Sequence, residues 1–286
     1  MEANGIREAQ AEAAFWGPDP AMRPYGLDPG RGPAKGSVPV SVAIITKDEE
    51  ARLPACLASL AFAAEVVVVD AQSSDRTAEI AAAAGAKVHV RPWPGYTAQR
   101  NFSLTQCAHD WVLCVDADVR VSLALATEIG ELLQAGPDRS AYRLAEVNRY
   151  FGRWLMHGGI YPGHHIRLFN RHKHAFETGP SDVHEDIRCA DSGALKGHLL
   201  HLAYPSFRLA LGKLNHYTDL EARGRAKKRR GPRLVELMRR PLSRFLSNYF
   251  LKGGFRDGFQ GFLYCCLTAL YAFTTTVKVW EIERDL

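Results

Sequence analysis

Paired cysteines are missing from this chain. Its six cysteines, Cys56, Cys107, Cys114, Cys189, Cys265 and Cys266, show no CxxC spacing, which leaves no zinc ribbon or redox dithiol to organise a fold. Several sit inside apolar runs, where they read as small core residues of a protein kept in a reducing, cytosolic environment. Nine of the eleven histidines lie between His157 and His216, yet no HxxxH repeat is present. Structural zinc is therefore not expected; the histidines read as contacts to sugar hydroxyls or phosphates, or as plain surface residues. No GxGxxG follows the first apolar run and neither GxxxxGKS nor GxxxxGKT occurs, which excludes the dinucleotide fingerprint and the P-loop as phosphate holders. The N-terminus lacks a basic start leading into an apolar stretch, so a secretory signal is not expected.

What is present suffices for a core. The 286 residues, 47% of them hydrophobic, allow one large domain with appendages or two small ones. The net charge of +5 is modest, but Arg223 to Arg240 carries nine Lys or Arg against the single Glu236, which points to an anionic partner. Residues 1–39 are rich in Ala, Gly and Pro and read as a flexible leader.

From Val40 onward strands and helices alternate. VSVAIIT is a buried strand, KDEEARLPACLASLAF runs from loop into helix, and EVVVVD, ending at Asp70, is a second strand. In the turn AQSSDRT, Ser74 or Asp75 is placed to cap the helix TAEIAAAAG, which Gly85 ends. Strand KVHVR, helix YTAQRNFSLTQCA and strand WVLCV follow. The alternation predicts an α/β fold with a mostly parallel sheet and helices on both faces. In such sheets ligands gather at the carboxyl ends of strands, where Thr46, Asp70 and Asp116 all fall.

WVLCVDADVR, Trp111 to Arg120, is the most informative stretch. Its apolar run carries no alternation, as a strand covered on both faces requires, and it ends in Asp116 and Asp118. Carboxylates on alternate residues of an extended segment point the same way, about 6–7 Å apart along the chain, and can share a hard cation or divide it with a ribose. With no glycine-rich phosphate loop available, a divalent cation is the economical way to neutralise a diphosphate. The plain alternative is that the two aspartates cap the helix after Ser122 or face water.

The last third is different in kind. Phe207, Leu211, Leu214 and Tyr217 mark one helical face, and Leu242, Phe245, Leu246, Tyr249 and Phe250 mark another. The twenty residues 258–277 carry no charge, but they include Gln260 and four threonines. Beside a polybasic segment they read better as an interfacial helix than as a membrane span, with core or dimer helices as the alternative.

Taken together, SVAIITKDEEARLPACLASLAFAAEVVVVDAQSSDRTAEIAAAAGAKV, GYTAQRNFSL and DWVLCVDADVRV resemble the nucleotide-sugar half of family 2 inverting glycosyltransferases of the GT-A fold. More narrowly, the chain is similar to the lipopolysaccharide core β-1,4-glucosyltransferase group, through RYFGRWLMHGGIYPGHHIRLFNR, DVHED and the Gly-Phe-x-Asp-Gly element near the end. The resemblance implies a GT-A domain over residues 40–205, with a nucleotide-sugar half (40–120) and an acceptor half (121–205). A basic, amphipathic, membrane-associating helical extension covers 206–286. It implies that Thr46, Glu49 and Asp70 line the uracil and ribose pocket with Arg100 nearby. It also makes Asp116 and Asp118 the DxD pair for Mg2+ or Mn2+, Asp118 on the metal and Asp116 shared with the ribose. His157, Tyr161, Arg167 and His184 are expected on the acceptor. An inverting transferase needs a base within reach of the acceptor hydroxyl, and the resemblance places it in VHED: Glu185 first, Asp186 second, with His184 orienting it or reaching the metal. Two departures stand out: AQSSD replaces a Ser-Gly-Ser-Thr-Asp turn, and Val119 replaces a common acidic residue after DAD.

The expected activity is metal-dependent, inverting transfer of a hexose such as glucose from a UDP-sugar to a lipid-linked glycan such as lipopolysaccharide core. The expected place is the cytosolic face of the inner membrane, with its anionic surface as a partner. One alternative keeps the fold and makes the acceptor a polyprenyl phosphate. A non-enzymatic basic binding module has less support, because the basic block lacks the interleaved aromatics of a nucleic-acid site and nucleic acid is not expected as a partner.

Overall fold

The computed structural model describes residues 33–177, 187–226 and 234–284, which fall into two compact units. The first unit takes 33–146, 164–176 and 187–201; the second takes 147–163, 177, 202–226 and 234–284.

The first unit is built on β1 (Val38–Thr46), β2 (Ala63–Asp70), β3 (Lys87–Val90), β4 (Trp111–Asp116), β5 (Val119–Val121), and parts of β6 (Ala141–Tyr150), β8 (Gly163–Asn170) and β9 (Gly193–Tyr204). Its strand order is β3-β2-β1-β4-β8-β6-β9-β5. β3, β2, β1 and β4 are mutually parallel, because helices α1 (Leu53–Ser59), α2 (Thr77–Ala83) and α3 (Tyr96–Gln106) supply the crossovers. The expected parallel sheet is thus only half of what forms: β4–β8 and β5–β9 are antiparallel. The cause is legible afterwards, since no helix separates the strands that follow Ser140 until β9 is complete among the described residues.

Every residue from Val40 to Thr46 is buried, as the unbroken apolar run required. One face of the sheet packs Val42, Ile44, Leu113 and Val115 against Leu53 of α1 and against Leu125 and Ile129 of α4 (Leu123–Ala135). The other packs Ala43, Ile45, Val67, Val69 and Cys114 against Leu104 of α3. Helices therefore cover both faces. Ser122 caps α4 by accepting from Leu125 N at 3.2 Å, so neither Asp116 nor Asp118 has that task. Close packing of α4 on β9 needs Gly197, where a Cβ would stand 2.4 Å from Leu125 Cα.

In the second unit β7 (Arg153–Leu155) pairs with the end of β6. Helices α5 (Phe207–Ala226) and α6 (Leu234–Leu246), a π-helical turn (Ser247–Leu251), a 3-10 turn (Gly254–Asp257) and α7 (Gly258–Ile282) follow. α7 packs on both α5 and α6. The segment Gly254–Ile282 is long and apolar enough to cross a membrane by length and composition. The buried face of α5 differs from the expected one: Ala210, Leu214, Thr218 and Ala222 face inward, while Phe207 and Leu211 are exposed. Small residues let two helices approach closely, and that outweighs the larger hydrophobes. The second expected face also divides. Phe245 and Tyr249 stack with ring centroids 5.3 Å apart and meet Phe262 of α7, whereas Leu242, Leu246 and Phe250 are exposed.

Candidate active site

The carboxyl ends of β1 and β2 are laced together by reciprocal hydrogen bonds. Asp48 N donates to Ser73 Oγ at 2.8 Å and Ser74 N donates to Asp48 Oδ1 at 2.7 Å. Glu50 N donates to Asp75 Oδ2 at 3.0 Å, and Arg76 N returns a bond to Glu50 Oε2 at 3.1 Å. Asp75 also accepts from Thr77 N at 2.9 Å, but the N-cap position of α2 is Arg76, so neither Ser74 nor Asp75 is the N-cap residue expected. Gln72 stands at φ 56°, the left-handed region, at the place where the resembled turn carries glycine.

On this frame Asp70 is buried and accepts from Ser73 N at 2.9 Å. Thr46, its neighbour in the β1–β2 register, is buried with a hydroxyl that has no hydrogen-bond partner among the described residues. An unsatisfied buried hydroxyl at a strand end suits a ligand that brings its own partner atom. Glu49 is held by Arg52, with Nε 2.7 Å from Oε2 and Nη2 2.9 Å from Oε1. The same guanidinium reaches Asp118 Oδ2 at 3.5 Å.

The two aspartates have separate partners. Asp116 ends β4 and receives Arg100 of α3 on one oxygen and Arg167 of β8, at 3.7 Å, on the other. Burial works against its ionisation, but the two guanidiniums outweigh it and hold the carboxyl below the usual range. Asp118 lies in the turn between β4 and β5, so the alternate spacing of an extended segment does not describe the pair. Its carboxylate lies 3.4 Å from His201 Nε2, and His201 Nδ1 lies 3.0 Å from Glu146 Oε1. Burial pushes the imidazole down, yet Asp118 and Glu146 prevail and raise it to about 10, so it is an imidazolium at neutral pH.

His201 and Glu146 carry no local motif and escaped the sequence reading. Only the β5–β9 register, which pairs Val119 with His201, brings the histidine beside the DAD turn. A polar residue inside the apolar run of β9 was the available signal. Among the described residues no group of three or more His, Cys, Asp or Glu forms a metal cage. Asp118 and His201 nonetheless fit a divalent cation as a pair. Asp118 offers oxygen, and His201 Nε2 would become a ligand only on losing its proton to solvent as the cation binds, with the ring oriented by Glu146 on Nδ1, the arrangement that metal-bound histidines use.

Of the remaining expected residues, Arg167 is in this unit, on Asp116, and His157 and Tyr161 are in the second unit. His157 is gripped by Asp257: its backbone N donates to Oδ2 at 2.7 Å and its ring Nδ1 lies 2.8 Å from Oδ1. His184, Glu185 and Asp186 lie outside the described residues.

Residues 41–184 match the family model for glycosyl transferase family 2. The chain is 33% identical over 251 residues to the lipopolysaccharide core biosynthesis glycosyltransferase LpsC of Rhizobium meliloti (strain 1021), covering 85% of this chain and 93% of that one. It is 31% identical over 255 residues to the uncharacterized glycosyltransferase RT0209 of Rickettsia typhi, covering 85% and 87%. A glucosyl-3-phosphoglycerate synthase from Mycobacterium tuberculosis, solved with Mn2+, UDP and glucosyl-3-phosphoglycerate, overlaps in part: 24% identity, TM-score 0.33, over 39% of this chain and 44% of that one. The chain belongs to glycosyl transferase family 2, a glycosyltransferase family with the GT-A fold.

Proposed function

We propose that this glycosyltransferase moves a hexose, glucose first among the candidates, from a UDP-sugar to a lipid-linked glycan of the lipopolysaccharide core type, with inversion, at the cytosolic face of the inner membrane. The observation that carries the reading is the strand-end cluster of Asp116, Asp118 and His201 in a chain alignable with LpsC over nearly its whole length. Thr46 and Asp70 receive the nucleoside, and Arg100 and Arg167 keep Asp116 ionised for the ribose. Asp118 and His201 would hold Mg2+ or Mn2+, which would supply positive charge to the departing diphosphate.

The reaction is one in-line displacement. A base, Glu185 before Asp186, takes the proton of the acceptor hydroxyl; that oxygen bonds to the anomeric carbon as the bond to the diphosphate oxygen breaks, releasing UDP. The test is release of UDP by the purified protein across a panel of nucleotide sugars, with and without Mg2+ or Mn2+. Asp118→Ala is expected to lower turnover by about 100-fold or more. Wild-type rates in that variant, or turnover indifferent to a chelator, would remove the metal role. Transfer to a polyprenyl phosphate and not to a glycan would replace the acceptor while leaving the donor half intact.

A further inference from the structure

The turn between α6 and α7 carries an unusual surface. Val235, Met238, Leu242, Leu246 and Phe250 recur at three- and four-residue spacing along α6 and into the π turn, and all are exposed, Met238 by 73%. The seam continues through Leu251, 84% exposed, to Phe255 and to Phe259 at the start of α7, 68% exposed. Exposed side chains of this size, contiguous along one element, mark a contact surface and not ordinary surface scatter.

Cations are interleaved with them. Lys252 and Arg256 sit between Leu251 and Phe259 and are exposed. Arg153 lies against the same turn, its Nη1 3.2 Å from where a Cβ on Gly258 would stand. The stem of Lys252 lies over Gly159, with Cδ 2.5 Å from where a Cβ there would be, so the glycine is what lets the lysine lie down on the turn. Among the described residues no carboxylate pairs with any of the three. The acid of the turn, Asp257, is buried and occupied: Oδ2 accepts from Met156 N at 2.9 Å and from His157 N at 2.7 Å, and Oδ1 meets the His157 ring. It fixes the turn without neutralising its surface.

We propose that this turn is a docking site for the phosphate headgroups of an anionic lipid bilayer. Arg153, Lys252 and Arg256 hold the phosphates, while Leu251, Phe255 and Phe259 enter the acyl boundary. A soluble anion would use the cations and leave the apolar residues in water, whereas a bilayer satisfies both at one depth. Burial of each Leu or Phe and attraction of each cation to an anionic leaflet favour the same docked arrangement. The inference deepens the membrane-surface part of the proposed function and rests on it. It adds the seam of α6 and the turn that follows to the membrane contact expected of α7, whose Phe262, Leu270 and Phe273 are also exposed.

The test is flotation of the full-length protein with vesicles of phosphatidylcholine alone and of phosphatidylcholine doped with phosphatidylglycerol. The protein should float with the doped vesicles only. Charge reversal in K252E/R256E and polar replacement in L251S/F255S should each weaken that binding by about tenfold or more. The milder K252Q/R256Q serves if reversal lowers the unfolding midpoint. Equal flotation of both variants and wild type, or equal binding to phosphatidylcholine alone, overturns the proposal. Release by inorganic phosphate, but not by chloride of equal ionic strength, would make this a soluble-anion site, and release by single-stranded DNA a nucleic-acid site; either overturns it too. UDP release by the unaltered protein in solution tests the transferase separately, so a failure of one reading is not mistaken for a failure of the other.

Discussion

The DAD turn of the first unit and the α6–α7 turn of the second treat charge in opposite ways. Around the DAD turn of the first, the carboxylates meet cations: Asp116 has Arg100 and Arg167, Asp118 has Arg52 and His201, Glu146 has His201, and Glu49 has Arg52. At the α6–α7 turn of the second, the carboxylate is taken up by backbone amides and a ring, and the cations face outward. The first pattern suits the proposed ligand, which brings both a cation and anionic oxygens that can exchange with the pairs already in place. The second leaves net positive charge beside exposed hydrophobes, as suits an extended anionic surface.

Three substitutions in the first unit would break or sharpen that contrast. The largest effect is expected from Glu146→Gln, which keeps a hydrogen-bond partner for His201 Nδ1 but removes the charge that orients and sustains the ring. Calorimetric titration of Mn2+ in the presence of UDP should show affinity weakened by about 10–100-fold. Unchanged affinity would mean that His201 is no ligand and that its ion pairs are only structural.

Glu65 tests the same neutralising pattern far from the strand ends. It is buried between Lys87, the Ser41 hydroxyl and Ala108 N. Burial opposes its ionisation, yet these partners hold its carboxyl below the usual range. A depressed folded value contributes stability that is present above the unfolded value and lost as pH falls through the folded one. Glu65→Gln should therefore be less stable than wild type at neutral pH, with the gap closing as the solution is taken below the carboxylate range. Denaturant midpoints across that range are the measurement, and a gap independent of pH would contradict the assignment.

The smallest effect concerns Gln72, held at φ 56° beside Asp70. Gln72→Gly should relieve strain and raise stability by up to about 1 kcal/mol, seen as a melting temperature a few degrees higher. If KM for the nucleotide sugar rises at the same time, the strained glutamine contributes to donor binding. An unchanged KM would leave it a tolerated departure from glycine.

Much of the first unit was readable in sequence because its signals are local. An apolar run without alternation means a strand covered on both sides, and β1 is buried from Val40 to Thr46 as that rule requires. Strand ends follow from where the runs stop, so Thr46, Asp70 and Asp116 could be named in advance. The antiparallel half was not readable, because strand partners are chosen by the whole sheet. For the same reason His201 went unremarked: it lies 83 residues from Asp118 by number (201 − 118) and meets it only through the β5–β9 ladder. The helical faces failed in an instructive way. Periodicity put Phe207, Leu211, Leu214 and Tyr217 on one face, but α5 buries Leu214 together with the smaller Ala210, Thr218 and Ala222 and leaves Phe207 and Leu211 exposed.

By itself the sequence determined the alternation of elements, the polar strand ends, the DAD turn, the excess of positive charge before α6 and the membership in glycosyl transferase family 2. Hydrophobic period and turn chemistry act over a few residues, so they are written in order along the chain. Only the tertiary structure decided which cation meets which carboxylate, that Asp257 would be used up inside its own turn, and that one seam of α6 would stand exposed among the described residues. Those outcomes depend on the register of distant strands and on which helix face packs closest, and neither is a property of any single stretch.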